Sequence, residues 1–270
     1  MMKAAGKSKV LICALAAFCA ARSVAQTPAT QTPANQAPAT AAKPPAHKST
    51  AGAAVAPHYD HTLLHPALLK AKAPESYQVK FVTTKGDFTL TVTRAWSPLG
   101  ADRFYNLVRH HFYDNATFFR VLPGFVAQFG ISPVSAVTTA WSKTEIKDDP
   151  PTQSNLRGYI TFATSGANTR TTQVFINLAD NKRLDAMGFS AFGQVTEGMS
   201  VVDTLYGDYG EGAPQGGGPD QEQIEKQGKP YLDKGWPKLD SIKTAFIVGE
   251  PATPAKKPVA KSAAPAAAKP

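Results

Sequence analysis

The residues with the most distinctive chemistry lie within 118–130, whose sequence is FFRVLPGFVAQFG. Arg120 and Gln128 stand there among phenylalanines, which is unusual for a plain core strand. If strands flank the Pro-Gly turn, then Arg120, Phe125 and Gln128 approach one another across it. A buried donor without a partner costs about 1–3 kcal/mol, so buried donors in this segment need partners. The alternative is that Arg120 is simply exposed at the edge of a barrel.

The sequence lacks the motifs of several common classes of enzyme. It contains no G-x-S-x-G, no H-E-x-x-H and no P-loop. The glycines of 207–218 do not lie between a strand and a helix, as a phosphate cradle requires. All six histidines lie at or before residue 111. His58, His61 and His65 are near enough for a weak metal site, but a solvated polar segment is the simpler interpretation, and we predict no metal.

The N-terminus has the features of a secretory signal peptide. Residues 1–9 carry three lysines, residues 10–20 form an apolar run, and Ser23-Val24-Ala25 supplies small residues for cleavage. We therefore predict a signal peptide over 1–25 and a periplasmic protein, with secretion beyond the periplasm as the alternative. The apolar run is too short to span a bilayer in the mature protein, although a retained anchor is another interpretation.

Both cysteines, Cys13 and Cys19, lie in this predicted signal peptide. A lipoprotein attached through Cys19 is a further alternative, which the bulky Phe18 before it disfavours. After cleavage the mature protein would contain no cysteine, which excludes disulfides, cysteine zinc sites and cysteine nucleophiles. Core packing would then have to stabilise the exported domain by itself.

The two ends of the chain differ in composition from its middle. Pro and Ala crowd residues 26–57 and 251–270, where large apolar side chains are almost absent, so we predict disorder there. We assign 26–70 to a linker, 71–249 to one domain and 250–270 to a tail. The net charge of +9 belongs to the ends, because the domain has equal numbers of acidic and basic residues. A neutral domain argues against nucleic-acid binding.

Short alternating segments dominate the domain. YQVKFVTT and FTLTVT, separated by Lys-Gly-Asp, predict a β-hairpin, whereas Phe104, Leu107 and Val108 have helical spacing. His110 and His111 then lie near the C-terminus of that helix, where its dipole tolerates positive charge. Many short strands with few helices indicate a mainly β barrel. The predicted elements are strands at 77–84, 88–93, 117–122, 125–129, 158–163, 173–178, 191–195 and 239–248, helices at 98–110, 200–206 and 220–227, and a loop at 130–155.

Three blocks of the domain occur in the order found in one sequence family. They are FFRVLPGFVAQ at 118–128, then FATSGANT at 162–169 with TQVFI at 172–176, then LD at 184–185 with FGQV at 192–195 and EGM at 197–199. The first fits the pattern F-x-R-x-x-x-G-F-x-x-Q, and together they resemble the cyclophilins over about residues 77–248. The resemblance implies a closed eight-stranded β-barrel capped by two α-helices, peptidyl-prolyl cis-trans isomerase activity and no cofactor. Its partners would be proline-containing polypeptides. We expect the mature form of the protein to have no membrane span and to be a monomer.

The resemblance also implies roles for particular residues. Isomerisation of an X–Pro bond needs no covalent chemistry, because the barrier of about 18–20 kcal/mol arises from amide resonance. The enzyme must favour the twisted amide over the planar one. Arg120 matches the arginine that does so electrostatically, and Gln128 matches the amide that supports it. The matches to the substrate-binding positions are Phe125, Val126, Phe175 and Leu184 in the apolar proline pocket, and Ala163 and Thr164 on the strand edge that pairs with the peptide.

Three positions depart from the family's pattern. Val126 stands where Met is frequent, Arg183 where animal members have a Trp that helps bind cyclosporin, and Phe189 where many members have a His. We therefore predict weak inhibition by cyclosporin, and we include Phe189 among the substrate-binding residues as an aromatic wall. Residues 131–155 lack the family's G-D-F-T continuation. The alternative for the pocket phenylalanines is a plain hydrophobic core.

Two functions follow from these residues. The first is X–Pro isomerisation in the folding of exported proteins, and the second is a proline-segment-binding chaperone module with little turnover, which Arg183 and Phe189 keep open. A scaffold that acts through its tail has only low-complexity sequence behind it. We expect the tail to solubilise or space the domain, with attachment to an acidic partner as the alternative. The sequence leaves open whether the Gly-rich segment 207–238 covers the groove.

Overall fold

The structure is a computed structural model that describes residues 59–250, so the predicted signal peptide, most of the predicted linker and the tail after Glu250 lie outside the described residues. Its strands are β1 (Ser76–Thr83), β2 (Asp87–Thr93), β3 (Arg120–Leu122), β4 (Val126–Phe129), β5 (Tyr159–Phe162), β6 (Val174–Asn177), β7 (Ala191–Glu197) and β8 (Ile242–Ile247). They form one antiparallel sheet in the order β3-β4-β6-β5-β7-β2-β1-β8, an open half-barrel. The mainly β prediction is confirmed.

The two edge strands of this sheet, β3 and β8, approach each other at one place. The Phe118 N–H donates to the Asp240 carbonyl over 2.9 Å, and the Ile242 N–H donates to the Ala116 carbonyl over 2.8 Å. Within residues 59–250 no ladder continues from there between β3 and β8. The sheet is therefore described as open, where the resemblance implied closure.

The hairpin of β1 and β2 supplies much of the main core. Alternate residues of β1, including Tyr77, Val79 and Phe81, are buried, as the alternating sequence predicted. The Phe81 ring stacks on Phe88 with centroids 4.8 Å apart, and Phe129 meets Phe81 edge-on at 5.8 Å. Aromatic rings bury large apolar areas, so this cluster anchors β1, β2 and β4 to one another.

Helix α1 (Pro98–Arg109) packs its apolar side into the same core and confirms the helix predicted over 98–110. Phe104 and Leu107 are fully buried. The Asp149 carboxylate accepts hydrogen bonds from the N–H groups of Leu99 and Gly100 over 3.1 and 3.0 Å. The first N–H groups of a helix have no partner within it, so Asp149 stabilises the start of α1.

The loop predicted over 130–155 contains a helix, α2 (Ser135–Trp141), so that prediction is wrong for these seven residues. Val137 and Trp141 are buried four residues apart on one side of α2. The Trp141 ring meets Phe112 edge-on at 5.9 Å. Two large apolar residues in seven are too few to show a helical period in the sequence. The helix is stabilised mainly by its packing on the core.

Three further helices lie in the second half of the chain. They are α3 (Met199–Asp203) and α4 (Gln221–Gln227), which match the helices predicted at 200–206 and 220–227, and α5 (Lys229–Gly235), which was not predicted. The Pro at the start of α5 and the Gly at its end give it the composition of a loop. Together with α2, these helices exceed the two caps implied by the resemblance.

Residues 59–75 pack on the domain ahead of β1. Leu63 is buried, and the Trp141 indole N–H donates to its carbonyl over 2.9 Å. The Asn106 side chain bonds both the N–H and the carbonyl of Ala71, over 3.0 and 2.7 Å. A linker is therefore not the right description of residues 59–70, because Leu63 anchors this segment.

Residues 59–250 contain neither a helix suited to cross a membrane nor a cluster of side chains suited to hold a metal ion. No helix in this range has the length and apolar character needed to cross a membrane. The same residues contain no group of three or more His, Cys, Asp or Glu side chains suited to holding a metal ion. His61 and His65 are exposed, and His58 lies outside the described range.

Candidate active site

The hairpin of β3 and β4 sets Arg120 against Gln128. The two are register partners, and Gly124, with a φ of +75°, lies in the turn between them. The Arg120 Nη1 donates to the Gln128 Oε1 over 3.1 Å. Arg120 is 6% exposed, which excludes the alternative of an arginine exposed at a sheet edge. The two side chains are brought together as the spacing predicted.

Gln128 is in turn held by Gln173, directly before β6. The Gln128 Nε2 donates to the Gln173 Oε1 over 2.9 Å, and both side chains are buried. The Gln173 Nε2 donates to the Glu225 Oε1 of α4 over 3.4 Å. Burial, and secondarily the charge of Glu222, raises the pKa of Glu225. The polar residues thus form a row that runs from β3 across the sheet to α4.

Glu211, in the segment between α3 and α4, extends this row on its other side. Its Oε1 accepts from the Arg120 Nε over 2.5 Å, and its Oε2 accepts from Nη2 over 2.8 Å. The pairing is bidentate, the strongest geometry for an arginine and a carboxylate. The Gly-rich segment therefore reaches the predicted catalytic arginine rather than standing clear of it.

The residues predicted to bind the proline ring lie around the β4–β6 pair. Val126, Phe175, Leu184 and Phe189 are buried, with at most 9% exposure, yet none belongs to the main core cluster. The Phe175 and Phe189 rings meet edge-on with centroids 5.8 Å apart, and the Phe189 N–H donates to the Leu184 carbonyl over 3.2 Å. An apolar group separate from the main core is the arrangement expected of a pocket.

Comparison with known sequences decides the family of this site. The family model described as cyclophilin type peptidyl-prolyl cis-trans isomerase/CLD matches residues 78–227, more than half of the chain. The chain belongs to the cyclophilins. It is accordingly a peptidyl-prolyl cis-trans isomerase, which acts on proline-containing peptides.

Bacterial relatives agree with this family. A peptidyl-prolyl cis-trans isomerase of Acinetobacter baylyi is 33% identical over 51% of this chain and 76% of its own. Peptidyl-prolyl cis-trans isomerase A of Dickeya dadantii is also 33% identical, over 57% of this chain and 82% of its own.

A cyclophilin-type isomerase from Cryptosporidium parvum has a solved structure with a TM-score of 0.47 at 19% identity, over 65% of this chain and 99% of its own.

Phe125 lies in the turn of the β3–β4 hairpin and is more exposed than the other residues predicted for the proline pocket. Its ring is half-buried and has the Arg120 guanidinium carbon 5.7 Å and the Arg183 guanidinium carbon 4.9 Å from its centroid. Both distances allow a cation–π interaction. The Phe125 carbonyl accepts from the Leu178 N–H over 2.8 Å and from the Asn181 side chain over 2.9 Å. The turn is therefore held by the residues that follow β6.

Ala163 and Thr164 follow β5, beside Gln173. The Ala163 N–H donates to the Gln173 carbonyl over 2.9 Å, so that N–H is already used within the cyclophilin fold. The Thr164 hydroxyl donates to the Gly166 carbonyl and lies 2.8 Å from the Thr169 hydroxyl. Residues 165–168 are exposed. The exposed residues thus begin directly after Thr164, while β5 itself lies between β6 and β7 in the sheet.

Three residues of the row had no role assigned from the sequence. Gln173 lies inside a segment that matches the cyclophilins, so that match was an available signal for it. Glu211 and Glu225 come from the Gly-rich segment, 91 residues or more beyond Arg120. No local pattern distinguishes these carboxylates from the exposed ones around them.

Proposed function

We propose that Arg120 is the catalytic residue of this cyclophilin and stabilises the twisted X–Pro amide electrostatically. As the amide twists, the nitrogen lone pair localises, and a guanidinium N–H can donate to that nitrogen or to the prolyl carbonyl. Preorganised donors act most strongly where water is excluded. The observation that carries the proposal is the Arg120 guanidinium, 6% exposed and bonded to Gln128, at the side of a separate apolar group.

The mechanism must lower the barrier between two isomers of similar free energy. An X–Pro bond favours trans by only about 0.5–1 kcal/mol, and uncatalysed exchange takes about 10–100 s. Each 1.4 kcal/mol removed from the barrier accelerates the exchange about tenfold. One preorganised donor contributes about 10²–10³-fold in other enzymes, so Arg120 can account for a substantial acceleration without a covalent intermediate.

The apolar group supplies the other half of the proposed mechanism. Phe125, Val126, Phe175, Leu184 and Phe189 would hold the proline ring, while Ala163 and Thr164 would pair with the peptide backbone. Gln128 would support Arg120 and the substrate. A ring fixed in this way leaves the bond before proline as the part free to rotate. The pocket holds the planar and the twisted amide alike, so the differential binding that catalysis requires would come from Arg120.

The test is isomerisation of a short X–Pro peptide by the wild type, Arg120→Ala and Arg120→Lys. Arg120→Ala should lose about 100-fold or more in kcat/KM while its far-ultraviolet circular dichroism stays that of the wild type. Arg120→Lys keeps the charge but loses the planar fork, so it should recover only part of the rate. An undiminished rate in Arg120→Ala would rule out this mechanism.

The same experiment separates catalysis from binding alone. A proline-segment-binding module with little turnover is the second candidate, because Arg183 and Phe189 replace the Trp and His found in other members. Such a module would bind the peptide without accelerating its isomerisation. The buried Arg120–Gln128 pair favours catalysis, since a site that only binds does not require it.

We further propose that the protein works in the periplasm, in the folding of exported proteins. The apolar run of residues 10–20 after three lysines, and the small residues before Gln26, support this location. Fractionation of cells that express the full chain tests it, because the isomerase should be released with periplasmic contents. Retention in the cytoplasm would contradict the proposal.

Closure of the sheet and a monomeric state complete the proposed description. The backbone bonds of Phe118 to Asp240 and of Ile242 to Ala116 support a barrel that closes at one end. If they persist in solution, the amide protons of Phe118 and Ile242 should exchange slowly. Sedimentation of the purified chain should give the mass of one copy.

A further inference from the structure

Glu211 gives the cyclophilin site a partner that the motif does not contain. Its two carboxylate oxygens accept from the Arg120 Nε and Nη2, over 2.5 and 2.8 Å. The Glu211 side chain is 30% exposed, whereas that of Arg120 is 7% exposed. The carboxylate therefore covers one edge of a buried guanidinium and is itself reached by water.

The donors of Arg120 show what this contact leaves for a substrate. A guanidinium has five N–H groups, one on Nε and two on each Nη. Glu211 takes one on Nε and one on Nη2, and Gln128 takes one on Nη1. One N–H on each Nη remains. These two N–H groups are left for a substrate, with the guanidinium fixed by its other three.

We infer that Glu211 is a positioning residue for the catalysis by Arg120. This inference rests on the proposed role of Arg120. Glu211 holds the guanidinium plane so that its remaining Nη donors meet the twisted amide without having to reorganise. Catalytic groups held in this way gain rate because the ordering is complete before the reaction.

The segment 207–218 is built to hold this carboxylate in place. The Gly212 N–H donates to the Glu211 Oε1 over 3.2 Å, and the Gly218 N–H donates to the Glu211 carbonyl over 2.8 Å. A Cβ at Gly216 would lie 2.4 Å from that carbonyl, so the backbone packs there closer than a side chain allows. The Trp236 indole N–H donates to the Gly217 carbonyl over 2.8 Å and secures the far side.

The same segment is also seated on the catalytic hairpin. A Cβ at Gly207 would approach Pro123, in the β3–β4 turn, to 3.0 Å. Ile224 of α4 and Leu232 of α5 pack with Phe119 in a small apolar cluster. The segment and the helices that follow it thus pack on residues directly before and after the strand that carries Arg120. A contact supported in this way suits a permanent positioning role better than a carboxylate that leaves before each turnover.

The experiment compares Glu211→Gln, Glu211→Asp and Arg120→Ala with the wild type in the full chain. The matched control is Glu75→Gln, an exposed glutamate just before β1 paired with Lys72. Isomerisation of one X–Pro peptide gives kcat and KM separately. Glu211→Gln should lower kcat by about 10- to 100-fold with KM within about twofold. Glu211→Asp should recover part of the rate, and Glu75→Gln should match the wild type.

A spectroscopic measurement on the wild type avoids dependence on folding of the variants. The NMR signal of the Arg120 Nε–H, assigned by its absence in Arg120→Lys, reports directly on the contact with Glu211. It should keep its position when the peptide binds, because the peptide takes Nη donors. Loss of the Nε–H signal from its bonded position on peptide binding would show that the substrate displaces Glu211 and would overturn the inference.

The kinetic outcomes distinguish the inference from the proposal beneath it. An unchanged or higher kcat/KM in Glu211→Gln, with Arg120→Ala inactive, would mean that Glu211 does not position Arg120, and only the inference would fail. An active Arg120→Ala would remove the proposed mechanism itself. In the double variant, Glu211→Gln should add almost nothing to the loss caused by Arg120→Ala, since residues that act through one another are not additive.

Discussion

Gln173 belongs to the polar row of Arg120 but does not bond to the arginine itself. It accepts from Gln128 over 2.9 Å, and Gln128 accepts from Arg120. Gln173→Leu should lower kcat/KM by about two- to tenfold, the equivalent of one lost hydrogen bond. The measurement is peptide isomerisation, with Gln78→Leu on the exposed side of β1 as the control. Equal rates in the two variants would contradict a role for Gln173.

His111 supplies a pH dependence at the residue scale. The hydrogen bond to Asp114 at 3.2 Å raises the pKa of His111, against the opposing effect of burial. Because its pKa is higher in the folded state, His111 stabilises the fold fully below its unfolded pKa of about 6.5, and this contribution is lost as the pH rises through the folded pKa.

The variant His111→Asn tests this dependence. Its backbone is in the left-handed region, with a φ of +57°, which asparagine tolerates better than most residues. Urea unfolding should show a larger loss of stability in His111→Asn at pH 5 than at pH 8.5. A loss of equal size at both pH values would show that the charge on His111 does not stabilise the fold.

The candidate site was predictable from the sequence where its residues are close in the chain. Arg120 and Gln128 are eight residues apart, and one turn brings them into register. Glu211 could not be found in the same way, because its contact spans 91 residues. Several exposed carboxylates lie in the same segment, and only the packed fold shows which of them reaches the guanidinium.

At the scale of elements, the junction of β4 with β6 depends on a close approach of two backbones. Gly130 ends the β4 segment with a φ of +108°, and a Cβ there would lie 2.5 Å from the Thr172 carbonyl oxygen and 2.8 Å from the Gln173 Cα. A side chain at Gly130 would therefore push away the start of β6, and with it Gln173. Both the sheet and the polar row of Arg120 pass through this contact.

Gly130→Ala should therefore cost stability and activity together. Gly249→Ala is the matched control, because Gly249 has a φ of +84° but nothing within 4 Å of the added Cβ. We expect about 1 kcal/mol from the backbone conformation in the control, and about 1–3 kcal/mol more in Gly130→Ala from overpacking. Urea unfolding and peptide isomerisation measure the two effects. Similar losses in both variants would show that the β4–β6 contact adapts easily.

Strands and helices were predictable where their own sequences show the period of a strand or of a helix. β1 and β2 alternate in burial because their sequences alternate, and α1 has enough turns to show a helical period. Helix α2 is different, since Trp141 derives its place from Phe112 and from the Leu63 carbonyl, both distant in sequence. Short helices that are stabilised mainly by tertiary contacts leave little trace in the local pattern.

The whole domain is organised around α1, which both ends of the described chain contact. Residues 59–75 bond Asn106 through Ala71, and the Asp102 carboxylate accepts from the Ala73 N–H over 2.8 Å. At the other end of the described residues, Glu250 accepts from the Tyr105 hydroxyl over 2.7 Å. Neither contact touches the polar row of Arg120. The stability that these two contacts on α1 contribute and the chemistry of the site therefore depend on different parts of the molecule.

Shortened chains test that separation. A chain of residues 59–250 should keep the stability of the full protein, whereas a chain of residues 76–250 should lose about 2–4 kcal/mol in the free energy of unfolding. The loss combines exposure of the partners of Leu63, worth about 1.5–3 kcal/mol, with hydrogen bonds worth about 0.5–1.5 kcal/mol each. Urea unfolding measures the difference, and peptide isomerisation well below the transition should be the same in both chains. Equal free energies of unfolding would mean that residues 59–75 contact α1 without stabilising the fold. A loss of kcat in the shorter chain would mean that the contact of residues 59–75 with α1 affects the position of Arg120.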